Sequence, residues 1–354
     1  MLTSKIKGPA IFLAQYLPPA GEACTLESLL RWAAELGYKG VQLPTWDKRI
    51  FDLEQAAQSQ QYCDQLLALC QRYQLHITEL STHLQGQLMA VHPAYNELYQ
   101  GFAPAHVQTE AQKQQWATEQ LLLAAQASKR LGLNCHVTFS GALLWHTVYP
   151  WPQRPAGLVE QGFAELALRW LPVLDAFDAA GIDVCFELHP GEDLHDGLSF
   201  ERFLNATGQH PRACILYDPS HFLLQQMDYL QFIDFYHQRI RAFHVKDAEF
   251  RPSGKAGVYG GYSSWLERPG RFRSLGDGQI DFNAIFSKLT QYGYTGWAVL
   301  EWECCLKHPQ QGAAEGAPFI AKQLICVAER PFDDFAGGAT DAGRNRRILG
   351  LSEG

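Results

Sequence analysis

The sequence predicts an α/β chain folded as a single (β/α)₈ barrel with loop insertions and a C-terminal extension. Two observations carry this. Short apolar strand-type runs alternate with amphipathic helical patterns along almost the whole chain. Four of those runs, moreover, end on a carboxylate or an imidazole: Val184–Phe186 on Glu187, Cys214–Tyr217 on Asp218, Ile240–Phe243 on His244 and Trp297–Leu300 on Glu301. A charge at the end of an apolar strand is costly to bury unless something compensates it. In a parallel sheet all strand C-termini share one end, so the four side chains would converge on one mouth.

Taken in order, Pro9 to Tyr16 reads as the first strand. Thr25 opens a helix through Leu36 that stops at Gly37. Lys39 to Leu43 is the second strand, closed by Pro44. A helix from Leu53 to Tyr73 leads to the third strand, Leu75 to Leu80, which ends near His83. Gly86 to Pro104 has no period and reads as a loop over the mouth. A helix from Thr109 to Leu131 precedes the fourth strand, Asn134 to Phe139, and a second, aromatic insertion spans Trp145 to Pro155. His136, inside that strand, reads as a core histidine.

The fourth helix, Val159 to Ala180, ends at Gly181 and feeds the strand of Glu187. Ser199 is the expected N-cap of the fifth helix, Arg212 to Tyr217 is the sixth strand, and Asp228 to Gln238 the sixth helix. After the strand of His244, the Gly- and Arg-rich connection from Phe250 to Gly278 is too long for a bare turn and reads as a lid or rim. Asp281 caps the seventh helix, and Ala313 to Ala328 is the eighth. One domain, 1–329, is therefore expected, with a polar extension, 330–354, that either packs on a neighbouring subunit of a homo-oligomer or stays mobile.

Composition narrows the function. The 354 residues are 47% hydrophobic and 19% charged, as in an ordinary soluble globular protein, and the net charge of −8 argues against nucleic acid as a partner. Nine cysteines, an odd number with no Cys-x-x-Cys and no signal peptide, point to reduced thiols in a cytoplasm. No uncharged run is long enough to span a bilayer, so no membrane partner is expected. Two Glu, one Asp and one His form a hard, oxygen-rich donor set with one nitrogen. It suits Mn²⁺, Mg²⁺ or Co²⁺ and tolerates Zn²⁺.

The motifs Phe186-Glu187-Leu188-His189, Tyr217-Asp218-Pro219-Ser220-His221, Phe243-His244-Val245-Lys246-Asp247, Gly276-Asp277-Gly278-Gln279-Ile280-Asp281-Phe282 and Leu300-Glu301-Trp302-Glu303 resemble the sugar isomerase/epimerase superfamily of metal-dependent barrels. That group includes xylose-isomerase-like enzymes, ketose 3-epimerases, inosose dehydratases and, more distantly, apurinic-site endonucleases. The resemblance covers about Lys39 to Ala328. It implies one divalent ion, Mn²⁺ first, on Glu187, Asp218, His244 and Glu301, and a carbohydrate substrate touched by His221. A basic residue shortly after the third ligand should hold a substrate hydroxyl; Arg251 stands near that place, with Arg271 and Arg273 as alternatives.

His83 is a further substrate-side candidate, and Lys246 and Asp247 are candidates for proton transfer, for support of the ligands, or for a structural ion pair with each other. Where the nuclease branch carries an Asp-x-His pair, this chain reads Arg271-Phe272-Arg273, cations that would repel additional metals. The expected activity is an isomerase/epimerase working through an enediolate, with Glu187 and Glu301 as the acid/base pair. A dehydratase on the same site, an abasic-site phosphodiesterase and a non-catalytic sugar-binding barrel are the alternatives.

Overall fold

A computed structural model of the chain describes residues 4–19, 21–328 and 339–351. Eight parallel strands close a barrel: β1 (Lys7–Phe12), β2 (Gly40–Pro44), β3 (His76–Ser81), β4 (Cys135–Thr138), β5 (Asp183–Glu187), β6 (Ala213–Tyr217), β7 (Ile240–Val245) and, after a hairpin of β8 (Asp247–Phe250) with β9 (Gly270–Arg273), β10 (Trp297–Leu300). Each barrel strand pairs with its neighbours in sequence order, and β10 closes on β1. Phe12 and Val299 pack inside the barrel, as do Cys135, Cys185 and Leu216.

The outer ring consists of α1 (Leu26–Glu35), α2 (Leu53–Gln58), α3 (Gln60–Arg72), a short α4 (His83–Gln87), α5 (Glu110–Arg130), α6 (Leu158–Ala180), α7 (Gly197–Ala206), a short α8 (Pro219–Leu224), α9 (Tyr229–Tyr236), α10 (Phe282–Gln291) and α11 (Pro309–Gln323). The amphipathic stripes expected from the sequence face the barrel: Leu29, Leu30 and Ala33 of α1, and Phe163, Leu166, Trp170 and Phe177 of α6, join one core. Thr25, Thr109, Asp228 and Asp281 cap their helices by accepting backbone N–H bonds.

Several boundaries differ from expectation for local reasons. The first strand ends at Phe12, and Ala14–Tyr16 turns into a 3₁₀ segment that brings Gln15 over the mouth. The helix expected over 53–73 is broken at Ser59, whose hydroxyl accepts from Tyr62 N and starts a second helix. Asp196, not Ser199, caps α7; Ser199 is the reciprocal partner in that capping box. The last ring helix begins at Pro309, capped by His308, and stops at Gln323. Of the expected extension, 330–338 and 352–354 lie outside the described residues, while Ala342–Ile348 forms helix α12. Among the described residues no helix is long and apolar enough to cross a membrane.

The 250–278 connection holds the largest departure. Its two ends form the antiparallel β8–β9 hairpin, with Glu249 opposite Arg271 and Ala248 opposite Phe272. Alternation along β9 sends Arg271 and Arg273 to one face and Phe272 to the other.

Candidate metal centre

Glu187, Asp218, His244 and Glu301 are each buried at the C-terminal end of a barrel strand, and one ligand atom from each lies within 4.8 Å of the others. The strand chemistry dictates this convergence, because each side chain is the first polar group after an apolar run whose register fixes its height. His244 Nδ1 stands 3.0 Å from Glu301 Oε2 and 3.9 Å from Glu187 Oε2. Asp218 Oδ1 accepts from Ser220 N at 2.8 Å at the start of α8. Its Oδ2 is buried with no hydrogen-bond partner, although His221 Nε2 and Lys246 Nζ lie 3.4 and 3.9 Å away. An orphaned carboxylate oxygen aimed into a cluster of two more carboxylates is the arrangement a hard divalent cation satisfies.

The surrounding groups share the charge. His83 Nε2 donates to Glu187 Oε2 at 2.7 Å and His221 Nε2 to Glu187 Oε1 at 2.8 Å. Burial pushes the Glu187 carboxyl up, but these two imidazoles outweigh it and hold the group well below the usual carboxylate range. Lys246, fully buried, reaches Glu301 Oε2 and Glu303 Oε2 at 3.2 Å each. Burial alone would lower its pKa; Glu301 and Glu303 reverse that and keep it charged. Burial likewise lowers and Glu301 raises His244, which ends at about 9. Asp218, with burial as the dominant influence, rises to about 6.

A collar of rings encloses the cluster. Phe12 lies 5.9 Å from His244 and 5.8 Å from His83, Phe139 sits edge-on to His83 at 4.5 Å, and His189 approaches His221 at 4.1 Å. Phe272 of the hairpin closes the collar, 5.4 Å from His221 and 4.3 Å beneath Lys246 Nζ. Trp265 stacks on its outer side at 4.8 Å and is half exposed.

The remaining sequence candidates sort themselves by partner. His83 and His221 join the centre, as does Lys246. Lys246 and Asp247 do not pair with each other: the Asp247 carboxylate accepts from Ala248 N, Gly276 N, Gly278 N and Ile280 N and so ties down the loop before α10. Burial still lifts its pKa to about 6. A side chain at Gly278 would collide with that carboxylate, which explains the glycine. Arg251, expected near a substrate hydroxyl, is exposed and pairs with Glu249 Oε2 at 2.8 Å.

Arg271 and Arg273 also converge on Glu249, at 2.6 and 2.8 Å. Their charge is thus compensated on the outer face of the hairpin, and the residue between them, Phe272, meets the centre instead. His136 is a core histidine as expected, 2.7 Å from Thr82 Oγ1, and burial drives its pKa down to about 3.

Sequence reasoning missed Gln15, whose Nε2 donates to Glu301 Oε1 at 3.2 Å, and Gln42, Glu79 and the collar residues Phe12 and Phe139. Gln42 carried a usable signal as the one polar side chain of β2, and Glu79 as the one acidic residue inside β3. Glu192 and Asp193, beyond β5, were also missed. Glu192 Oε2 accepts from Gly141 N at 2.6 Å, and Asp193 accepts from Leu143 N and Leu144 N, so the loop after β5 holds the base of the aromatic insertion after β4.

Comparison with known proteins agrees with this architecture. An inosose dehydratase of Bacillus velezensis is 33% identical over 154 residues, 41% of this chain and 49% of that protein, so the chain spans about half the length of the curated relatives it matches. An L-ribulose 3-epimerase structure superposes with a TM-score of 0.60 over 99% of this chain and 100% of the other at 15% identity. A 3-keto-D-glucoside 4-epimerase from E. coli gives 0.59 over 90% and 100% at 14% identity. These two likenesses show the fold alone. Residues 30–323, most of the chain, match one family, and the chain belongs to the xylose isomerase-like TIM barrel family.

Proposed function

We propose that this chain is a divalent-metal-dependent isomerase/epimerase of a sugar or keto-sugar that works through an enediolate, with Glu187 and Glu301 as the acid/base pair. The observation that carries the proposal is the pair of buried carboxylates on β5 and β10, both within 4 Å of His244 Nδ1 and joined there by an Asp218 oxygen without a hydrogen-bond donor. Glu187, Asp218, His244 and Glu301 would hold the ion, with Mn²⁺ the first candidate and Mg²⁺, Co²⁺ or Zn²⁺ able to replace it. Bound there, a divalent cation supplies Lewis-acid stabilisation of the substrate oxygen on which charge builds.

The chain's own groups do the rest. One carboxylate takes the proton from the carbon beside the carbonyl, and the other returns a proton from the opposite side. Return to the same carbon inverts it; return to its neighbour moves the carbonyl. Held low by His83 and His221, Glu187 is a weak base at rest. A substrate hydroxyl that draws the His221 N–H away would free Oε1 and raise its basicity just as the substrate arrives. His83, His221 and Lys246 orient the hydroxyls, and the ring collar excludes water. Arg251 and Arg273, occupied by Glu249, fall outside the proposed contacts.

The named activity of the relatives, matched over about half their length, favours one variant, in which the same enediolate expels a β-hydroxyl as water. Both variants begin with proton removal, so the decisive experiment is solvent-deuterium incorporation into a panel of ketoses and inososes. Glu187→Gln should abolish the exchange with the circular dichroism unchanged; undiminished exchange would remove Glu187 from the role. A product lighter by one water would move the assignment to the dehydratase. In parallel, Asp218→Ala should lose the bound divalent ion that elemental analysis finds in the parent protein.

A further inference from the structure

Beneath the cluster a hydrogen-bonded line runs down the inside of the barrel. His244 Nε2, the nitrogen turned away from the carboxylates, meets Gln42 Oε1 at 3.1 Å, and Gln42 Nε2 donates to Glu79 Oε2 at 3.2 Å. All three side chains are fully buried, so water does not compete for any of these bonds. The backbone is adapted to the arrangement. Between β2 and β3 the pairing Val41↔Ile77 is followed by Leu43↔Leu80, so one residue of β2 faces two of β3, and those residues are Gln42, Thr78 and Glu79. A bulge of this kind re-aims a side chain at the expense of a ladder bond.

A glutamine amide can sit either way round, and the two orientations have opposite effects on an imidazole. With its oxygen upward, Gln42 requires a proton on His244 Nε2, so that Nδ1, which donates to Glu301 in the metal-free protein, is the nitrogen that yields its proton when a cation enters among Glu187, Asp218 and Glu301. With its nitrogen upward, Gln42 needs a lone pair on Nε2 and forces the proton onto Nδ1, where it would block coordination. Burial raises the Glu79 carboxyl, opposed by Thr78, Gln42 and His244; in its ionised form it accepts only from the NH₂ end of Gln42, and so selects the first orientation.

We propose that Glu79 is a positioning residue for the metal centre: acting through Gln42, it fixes which nitrogen of His244 carries the proton and so keeps Nδ1 free to bind the ion. This rests on the metal-centre reading above. Outer partners of this kind typically change metal affinity by about 10- to 100-fold.

The test uses the full chain, Mn²⁺ alone and three variants. Glu79→Leu removes the acceptor and lets the Gln42 amide turn over; Glu79→Gln keeps an acceptor oxygen. Titration calorimetry should show Mn²⁺ affinity falling about 10- to 100-fold in Glu79→Leu and staying within about threefold in Glu79→Gln. In ¹⁵N-labelled metal-free protein at pH about 10, above the His244 value of about 9, where the ring carries a single proton, the slowly exchanging Nε2–H of His244 should persist in the parent and in Glu79→Gln and vanish in Glu79→Leu. Gln42→Leu, which removes the acceptor directly, should behave as Glu79→Leu and carries the test if that variant does not fold.

Undiminished Mn²⁺ affinity in the leucine variants, or an equal loss in Glu79→Gln, would overturn the proposal. Should the parent protein bind no Mn²⁺, the metal reading fails by itself. The Nε2–H signal then decides the inference: its loss in Glu79→Leu supports the line from Glu79 to His244, and its persistence refutes it.

Discussion

The two ends of the barrel carry similar residue types in opposite circumstances. At the N-terminal end, Lys7, His76, Asp183, Arg241 and Trp297 line an open cavity of about 330 Å³. Asp183 there meets Arg212 at 2.9 Å and Arg241 at 3.6 Å, and all three side chains keep contact with solvent. At the C-terminal end, three carboxylates, an imidazole and a lysine are packed out of water, and one carboxylate oxygen has no donor. Charges left half-exposed and matched are cheap and contribute little to stability. Charges buried and only partly matched cost stability, so their presence marks the end of the barrel where something else is meant to bind.

Lys246 gives the sharpest test of that contrast. It is the buried cation that offsets Glu301, Glu303 and Asp218 in the absence of an ion. Lys246→Met should destabilise the metal-free protein by about 3–5 kcal/mol, the usual result of leaving a buried charge unpaired. Saturating Mn²⁺ should recover most of that loss, because a bound cation takes over the compensation and stabilises only the folded form. Thermal melts with and without the ion measure both. A loss below about 1 kcal/mol in the metal-free protein would mean that the mouth behaves like the opposite end.

A second buried acid sharpens the comparison from the rim of the mouth. Burial pushes the Glu192 carboxyl up from 4.5 to about 8, despite the N–H it accepts from Gly141. In the unfolded chain this group ionises near 4.5, whereas in the fold it stays protonated until about 8. The unfolded state therefore holds fewer protons between those values, and stability must fall as pH rises through that window. Glu192→Gln removes the titration. Relative to that variant, the parent protein should lose about 3 kcal/mol between pH 4.5 and 7, at 1.36 kcal/mol per unit. Parallel stability curves for the two proteins would show that the fold does not keep Glu192 neutral.

The same contrast explains what could be read from the residues alone. Glu187, Asp218, His244 and Glu301 were legible because each breaks an apolar run at its end, where parallel strands align, and the barrel itself follows from the alternation of such runs with helical stripes. The β8–β9 hairpin was not. Asp247–Phe250 is separated from the end of β7 by Lys246 alone, and Gly270–Arg273 is too short and polar to show a period.

The pairing of Arg251 and Arg273 with Glu249 was hidden for a related reason. Their partner Glu249 becomes adjacent to Arg271 only through the hairpin register, and nothing in the linear spacing announces it. Gln42 and Glu79 lay within reach of the strand argument. A polar residue in the interior of a short buried strand demands a partner as strongly as one at its end, as His136 does with Thr82.

The smallest effect belongs to the N-terminal end. Asp183→Asn removes a carboxylate held by Arg212 and Arg241, both of which retain solvent contact, and leaves a neutral side chain able to accept one of the same bonds. Its cost should be about 1 kcal/mol or less, with Mn²⁺ affinity and deuterium exchange unchanged. Since β5 carries Asp183 at its first residue and Glu187 at its last, the pair Asp183→Asn and Glu187→Gln compares the two ends on one strand with the backbone held in common. Loss of exchange on Asp183→Asn would show that the charges of the two ends are coupled through the strand; retention would confirm that the bottom of this barrel serves stability and the top serves chemistry.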